Sequence, residues 1–278
     1  MNAPFSSFDF FQDSLRTTGE YSTPPQNLRR QRPSFVTTPG FYLGLGNIYY
    51  NGWRDAHAPD FYEKRWAPLS HRIARLCERH GARIHISGFE TMRHCHKPVI
   101  YVANHVSQLE TYLLPCILLS FGGLVVVIKA PLGKYPFFGR ITRASRSIMV
   151  SQSKPLADLR KVLDDGEAAI REGRSILIFP QGARHTLFDP ATFNSLGVKL
   201  AQRANVSMVP IAVKTDFMPL GTLHKELFTI HSRCPVRFKC GPQIAPDTDT
   251  KAMQREALAF ITQTLREWEA LDGVSLIQ

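Results

Sequence analysis

The stretch KPVIYVANHVSQLETYLLPCILLSFGGLVVVIKA (97–130) holds three apolar segments in a row. The first, 97–103, and the last, 124–130, are short and rich in β-branched residues, which favours buried strands. The middle segment, 107–121, fits a helix that ends at the Gly122-Gly123 pair. The stretch therefore predicts a strand, a helix and a second strand, which is the repeating unit of a parallel sheet.

The same alternation continues through most of the 278 residues. The other predicted strands lie near 83–88, 147–150, 175–180, 207–214, 226–231 and 235–240. The other predicted helices lie near 155–173, 193–204 and 249–271. We therefore predict an α/β fold in which helices flank a central, mostly parallel mixed sheet with an antiparallel end. We expect an N-terminal tail and interfacial segment over 1–58, followed by one domain over 59–278.

One segment raises the question of a membrane span. The eighteen residues between Glu110 and Lys129 carry no formal charge, which reaches the lower limit for a transmembrane helix. Pro115 and the Gly122-Gly123 pair interrupt this segment, and a helix, a glycine turn and a strand explain it better. We therefore expect a protein that does not cross a membrane.

The N-terminal part is aromatic and basic. The segment PFSSFDFF (4–11) and the proline-rich, basic segment at 22–35 keep no helical or strand period. A disordered tail is one interpretation, and contact with a bilayer is the other. In the second interpretation apolar rings insert and cations attract anionic headgroups; the residues would be Phe5, Phe8, Phe10, Phe11, Arg29, Arg30 and Arg32. FYLGLGNIYYNGW (41–53) is a second candidate interfacial segment.

The formal net charge of +11 predicts attraction to polyanions: nucleic acid, anionic lipid or an acidic carrier protein. The chain lacks a basic-aromatic stacking motif, a zinc finger and a glycine-rich phosphate loop, so we expect no nucleic-acid partner. Five cysteines without C-x-x-C spacing, and no recognisable secretory signal, indicate reduced thiols in the cytoplasm. His94-Cys95-His96 has no fourth ligand at zinc-site spacing, so we expect no metal.

Polar residues follow the first strand of the opening stretch. Asn104 and His105 come where that strand ends, and Glu110 follows at the start of the next helix. Ser107 and Glu110 match the S-x-x-E capping box, in which Glu110 would only reach back to the Ser107 amide. If His105 lies in the turn before the helix, its ring can also meet Glu110. That contact would fix the tautomer of His105 and leave a free ring nitrogen as a general base.

Two further segments bring cations to the same predicted sheet edge. IFPQGAR (178–184) is a strand that ends in a turn and directs Arg184 across the edge, where a guanidinium can hold a phosphate. VIKAPLGKYPFFGR (127–140) adds Lys129, Lys134 and Arg140 in a loop that proline and glycine interrupt. Ligand sites of such sheets gather at the carboxyl ends of the strands.

In order and spacing, four blocks of this chain resemble those of the 1-acylglycerol-3-phosphate acyltransferases, a family of glycerophospholipid acyltransferases. The blocks are Asn104-His105…Glu110, Lys129…Leu132…Pro136…Gly139, Phe179-Pro180-Gln181-Gly182-Ala183-Arg184 and Val209-Pro210. The resemblance covers about 97–215, does not cover 1–60, and fades after about 240.

The resemblance implies transfer of a fatty acyl group from a thioester, acyl-CoA or acyl carrier protein, to the hydroxyl of a lysophospholipid. The first candidate acceptor is 1-acylglycerol-3-phosphate, which would give phosphatidate. His105 would be the general base, oriented by Glu110. The implied substrate and phosphate ligands are Arg184, Gly182, Lys129 and Gln181; the implied supporting residues are Asn104, Ser107, Pro180, Gly139 and Pro210. No cofactor or metal is implied. We expect a cytoplasmic protein associated peripherally with the inner face of an anionic membrane.

The chain departs from the family pattern at several positions. Glu110 replaces the usual aspartate, Gln181 replaces glutamate and Ala183 replaces threonine. Gln152 stands where an arginine usually ends the second block, and Arg143 or Arg146 is the candidate replacement. These departures leave two alternatives open: another lysolipid acceptor such as lyso-ornithine lipid, or an inactive membrane-binding relative. A covalent acyl-serine at Ser107 is disfavoured because no G-x-S-x-G elbow surrounds it.

Overall fold

The computed structural model describes residues 7–27, 34–95, 98–151, 153–221, 228–232 and 234–278. Its helices are α1 (Phe8–Thr18), α2 (Ser34–Asp55), α3 (Trp66–Arg79), α4 (Leu109–Leu118), α5 (Phe138–Ala144), α6 (Pro155–Arg171), α7 (Leu196–Ala204) and α8 (Thr250–Asp272). Its strands are β1 (Tyr21–Ser22), β2 (Ile84–Ser87), β3 (Ile100–Ala103), β4 (Gly123–Lys129), β5 (Ile148–Val150), β6 (Arg174–Ile178), β7 (Met208–Lys214) and β8 (Val236–Cys240). Short 3-10 or π turns connect several of these elements.

The eight strands form one sheet in the order β1-β2-β8-β7-β3-β6-β4-β5. Pairing is antiparallel between β1 and β2 and between β7 and β8, and parallel elsewhere. Every residue of β3 and of β7 is buried, because helices cover both faces of the centre of the sheet. The predicted α/β fold with a mostly parallel mixed sheet is confirmed.

The predicted strand at 226–231 is wrong in its described part. Residues 228–231 are irregular, and 226–227 lie outside the described residues. The backbone of Phe228 bonds to the Tyr42 hydroxyl on α2 through both its amide and its carbonyl, at 2.8 and 3.0 Å. The amide of Ile230 contacts the Thr38 hydroxyl at 3.3 Å. Side chains of α2 therefore satisfy these backbone groups in place of a neighbouring strand.

The described part of the N-terminal segment is largely helical, unlike the aperiodic segment that the sequence suggested. Ser7 caps α1 by accepting from the Phe10 amide at 3.1 Å, and Gly19 ends it at a φ of 77°. Phe11 is only 1% exposed and packs on Tyr21, so its predicted contact with a bilayer is wrong. Phe8 and Phe10 are half-buried against the same core. Phe5, Arg29, Arg30 and Arg32 lie outside the described residues, and the division at residue 58 stays a prediction.

The uncharged segment after Glu110 forms α4 and β4, as expected. In the part of the chain that the structure describes, no helix is long and apolar enough to cross a membrane.

Candidate active site

Asn104 fastens the end of β3 to β7. Its side-chain amide donates to the Val213 carbonyl at 2.9 Å, and its side-chain carbonyl accepts from the Val213 amide at 2.8 Å. The side chain thus continues the hydrogen-bond ladder one residue beyond the strand. Asparagine offers the donor and acceptor that a backbone peptide has, so this position fixes where the next residue, His105, begins.

His105 and Glu110 are in contact, as the sequence predicted for a His105 that lies in the turn before α4. The Nδ1 atom of His105 lies 2.8 Å from Oε1 of Glu110, whose side chain is fully buried. The same oxygen accepts from the amides of Val106 at 2.6 Å and Ser107 at 2.7 Å. An ionised carboxylate only accepts hydrogen bonds, so the proton lies on Nδ1 and Nε2 has a free lone pair.

The second oxygen of Glu110 is held by hydroxyl groups. Oε2 accepts from Thr215 Oγ1 at 2.5 Å and from Ser107 Oγ at 3.0 Å. Ser107 Oγ also accepts from the Leu109 amide at 3.0 Å, which caps the start of α4. The capping and orienting roles of Glu110 therefore coexist. Ser107 is fully buried, and this argues against an acyl-serine.

These donors decide the charge of Glu110. Burial raises the pKa of its carboxyl, but hydrogen bonds from His105 and Thr215, with the attraction of a protonated His105, outweigh burial. The pKa of Glu110 therefore lies below its ordinary value. At neutral pH the imidazole therefore has an ionised partner.

The segment after β6 holds His105 from the other side. Gln181 Oε1 accepts from the His105 amide at 2.7 Å, and the His185 amide donates to the His105 carbonyl at 2.9 Å. The ring of Phe179 stacks on the imidazole at a centroid distance of 4.3 Å. Gln181 is 8% exposed and lies behind His105, not on the cavity wall, so its predicted contact with phosphate is not what the geometry supports.

His105 opens on a cavity of about 880 Å³. Most of its wall is apolar; the contributing side chains include Val126, Ile128, Leu132, Phe138, Leu159, Val162 and Ile178. A smaller cavity of about 100 Å³ adjoins it and shares Tyr112, Val126, Ile128, Leu132 and Phe138 with it. The combined space has the character expected for a long apolar ligand.

Three of the predicted substrate ligands line this cavity. They are Lys129, Gly182 and Arg184. Gly182 adopts a φ of 67°, a conformation that favours glycine, and the chain turns there between Gln181 and Arg184. The structure therefore brings an imidazole and two cations to one cavity.

The remaining predicted residues act at a distance from the cavity. The Pro180 carbonyl accepts from the side chain of Asn194, which ties the Gly182 turn to the start of α7. Gly139 packs so closely on the Gly133 carbonyl that a Cβ would lie 2.2 Å from that oxygen. Pro210 lies inside β7 and accepts from the Gly241 amide at 2.8 Å. These three residues support the walls of the site.

Neither arginine proposed to replace the missing family arginine reaches the cavity. Arg143 donates to the Gly133 carbonyl, and Arg146 pairs with Glu63 at 3.0 Å. Gln152 itself lies outside the described residues. Sequence reasoning also missed Thr215, which lies 105 residues after Glu110. Its only sequence signal was its place just after a predicted strand, at the same sheet edge.

Comparison with known proteins gives a consistent result. A family model described as Acyltransferase matches residues 83–214. The 1-acyl-sn-glycerol-3-phosphate acyltransferase of Pseudomonas aeruginosa is 28% identical over 152 residues, which cover 55% of this chain and 56% of that relative. The lyso-ornithine lipid O-acyltransferase of Rhizobium meliloti is 27% identical over 179 residues, covering 60% and 58%. The chain thus spans little more than half the length of these relatives.

The fold matches a solved structure. The crystal structure of the 1-acyl-sn-glycerophosphate acyltransferase PlsC from Thermotoga maritima aligns with a TM-score of 0.59 at 17% identity. The match covers 85% of this chain and 96% of that one. At this level of identity the likeness concerns the fold.

Proposed function

Because the Acyltransferase family model matches residues 83–214 and the fold resembles that of PlsC, we propose that the chain transfers a fatty acyl group from a thioester to the hydroxyl of a lysophospholipid. The observation that carries the proposal is the His105–Glu110 pair, 2.8 Å apart, at the wall of an apolar cavity that Lys129 and Arg184 also line. The proposed acceptor is 1-acylglycerol-3-phosphate, which would yield phosphatidate.

In the proposed mechanism, Nε2 of His105 takes the proton of the acceptor hydroxyl as its oxygen attacks the thioester carbonyl. The tetrahedral intermediate then expels the thiolate, and the imidazolium returns the proton to that sulfur. Glu110 holds the ring in one tautomer and stabilises the imidazolium that forms between the two steps. Proton transfer of this kind contributes about 10²–10⁴-fold to the rate. The mechanism uses no metal or cofactor.

The cavity wall supports the choice of substrate. Apolar side chains around it suit an acyl chain, which gains roughly 0.8 kcal/mol for each buried CH₂ group. Lys129 and Arg184 suit the phosphate, which a guanidinium can hold with two hydrogen bonds. Fixing that phosphate would place the acceptor hydroxyl near His105.

We also propose that the protein approaches its lipid substrates from an anionic membrane surface, on the inner face of the membrane. Exposed apolar residues support this: Tyr135 (56% exposed) and Phe137 (47%) line the cavity, and Leu43 (78%) follows Tyr42, which also lines it. Arg140 lies over the Trp53 ring at 5.2 Å, which adds a cation to the aromatic group. Aromatic and cationic side chains are typical of membrane interfaces. The proposed donor is acyl-CoA or acyl carrier protein.

A second acceptor has its own support. Two relatives are lyso-ornithine lipid O-acyltransferases, one from Rhizobium meliloti and one from Pseudomonas aeruginosa. Asp158 lines the cavity and is an acid that an ammonium group could approach. A lyso-ornithine lipid is therefore the second candidate.

The test is turnover by the purified protein in anionic vesicles. Acyl-CoA and acyl carrier protein are each paired with lysophosphatidate, lyso-ornithine lipid and lysophosphatidylcholine, and products are identified by mass spectrometry. We expect a product that depends on the acceptor and disappears in His105→Ala. His231→Ala is the matched control, since His231 is exposed and does not line the cavity. Vesicle binding without any product would support the inactive relative instead.

A further inference from the structure

The cavity has a third cation that the sequence did not single out. Lys199 lies in α7, is exposed, and lines the same cavity as His105 and Arg184. Within the described residues its ammonium group has no hydrogen bond or ion pair. Arg203, one turn further along α7, is by contrast bound to Asp164 at 2.6 Å and Glu167 at 3.2 Å on α6. Lys199 therefore presents an uncompensated charge to the cavity.

The start of two helices adds positive potential at the same place. The first residue of α6, Pro155, and the first residue of α7, Leu196, both line the cavity. The first turn of a helix carries about half a positive charge from its unpaired amides. The two helix starts and Lys199 therefore act in the same direction.

One acid offsets this charge only in part. Asp158 is the single carboxylate among the described residues that line the cavity. Its two oxygens accept from the Ser151 amide at 2.8 Å and the Ser151 hydroxyl at 3.0 Å. The wall thus carries three cations, Lys129, Arg184 and Lys199, against one acid that is already hydrogen-bonded.

We propose that Lys199 contacts the headgroup of the acceptor and sets a preference for a phosphate monoester over a zwitterionic headgroup. The proposal rests on the acyl transfer proposed above and names the specificity of that same site. A phosphate monoester brings close to two negative charges and three acceptor oxygens, which several cations can share. A headgroup with one carboxylate and one ammonium gains little from a third cation.

The experiment measures KM and kcat of Lys199→Gln for lysophosphatidate and for lyso-ornithine lipid, with the same acyl donor. We expect KM for lysophosphatidate to rise roughly 10- to 100-fold, the range for a lost hydrogen bond to a charged group. We expect kcat, and both constants for lyso-ornithine lipid, to stay within about threefold. Lys199→Arg should restore most of the affinity, since it keeps the charge.

Lys251→Gln is the matched control, because Lys251 is an exposed residue of α8 outside the cavity wall and its loss lowers the net charge equally. Equal effects on both acceptors, an unchanged KM, or a rise confined to the KM of the acyl donor would each overturn the proposal. Equilibrium binding of lysophosphatidate to wild type and Lys199→Gln gives a readout without turnover. Wild-type binding that Lys199→Gln does not weaken overturns the role of Lys199, whereas binding without turnover refutes the proposed function alone.

Discussion

Replacing Glu110 with glutamine separates the charge of this side chain from its shape. Oε1 of Glu110 accepts from three N–H groups, whereas Oε2 accepts from two hydroxyls. N–H groups can only donate, but hydroxyls can turn and accept. A glutamine should therefore point its oxygen at His105 and its NH₂ group at the hydroxyls of Ser107 and Thr215. The position of the imidazole is kept and the negative charge is lost.

The expected loss follows from the distance between the two groups. With Nδ1 and Oε1 2.8 Å apart, the centres of charge of an imidazolium and the carboxylate are about 4 Å apart. At an effective dielectric constant of about 20, that attraction is worth about 4 kcal/mol. Because the imidazolium exists only after proton transfer, the loss falls on the barrier. We expect kcat to fall roughly 10³-fold, with KM changed little.

The assay is acyl transfer at saturating donor and acceptor, with circular dichroism and a urea titration to verify folding. Glu78→Gln is the control, because Glu78 is also fully buried and bonded, by Tyr21 at 2.7 Å, but does not line the cavity. It should lower the free energy of unfolding and leave kcat within a few-fold. If Glu110→Gln keeps kcat within tenfold of wild type, Glu110 does not stabilise a charge on His105 and the reasoning is wrong.

Two further results are expected. Thr215→Val removes a hydroxyl donor to Glu110 without changing size, so the free energy of unfolding in urea should fall by about 1.5–3 kcal/mol; a change under 0.5 kcal/mol would show that the bond at 2.5 Å has no energetic weight. The lowered pKa of Glu110 contributes stability above the ordinary pKa of about 4.3, and that stability is lost as the pH falls through the lower folded value. Urea titrations below about pH 4.3 should therefore show the wild type losing more stability than Glu110→Gln, and parallel curves would refute the shift.

The strands of the sheet were predictable because β3 and β7 are fully buried and β4 and β6 each contain three consecutive buried residues, so that their sequences are nearly continuous apolar runs. The helix α2 was not. Its aromatic sequence suggested an interfacial segment, whereas its glycines let helices approach. A Cβ at Gly44 or at Gly52 would lie 2.5 or 2.6 Å from the leucine side chains of α3. Eight residues separate these two glycines, so both lie on one face of α2.

The His105–Glu110 pair was predictable because its two residues lie within one strand–turn–helix unit. Thr215 was not, because its contact with Glu110 requires β7 to lie beside β3, and sequence spacing carries no such information. Gln181 was assigned to phosphate for a related reason. It precedes Arg184 by three residues, and the turn at Gly182 lies between them. Gln181 therefore contacts the His105 amide, whereas Arg184 lines the cavity.

The bonds that orient His105 and the wall of the cavity come largely from different stretches of chain. Besides His105, the groups that bind Glu110 are the backbone of 106–107, the Ser107 hydroxyl and the Thr215 hydroxyl just after β7. None of these three residues lines the cavity. The wall comes mainly from α2, β4, the segment that follows β4, the turn after β6 and the first turns of α6 and α7; Gln108, Thr111 and Tyr112, beside Glu110, also contribute. Exchanging the first turns of α6 and α7 between relatives should therefore change the choice of acceptor and leave the His105–Glu110 pair unchanged. The residues that orient His105 and the residues that would select the acceptor could then be changed separately.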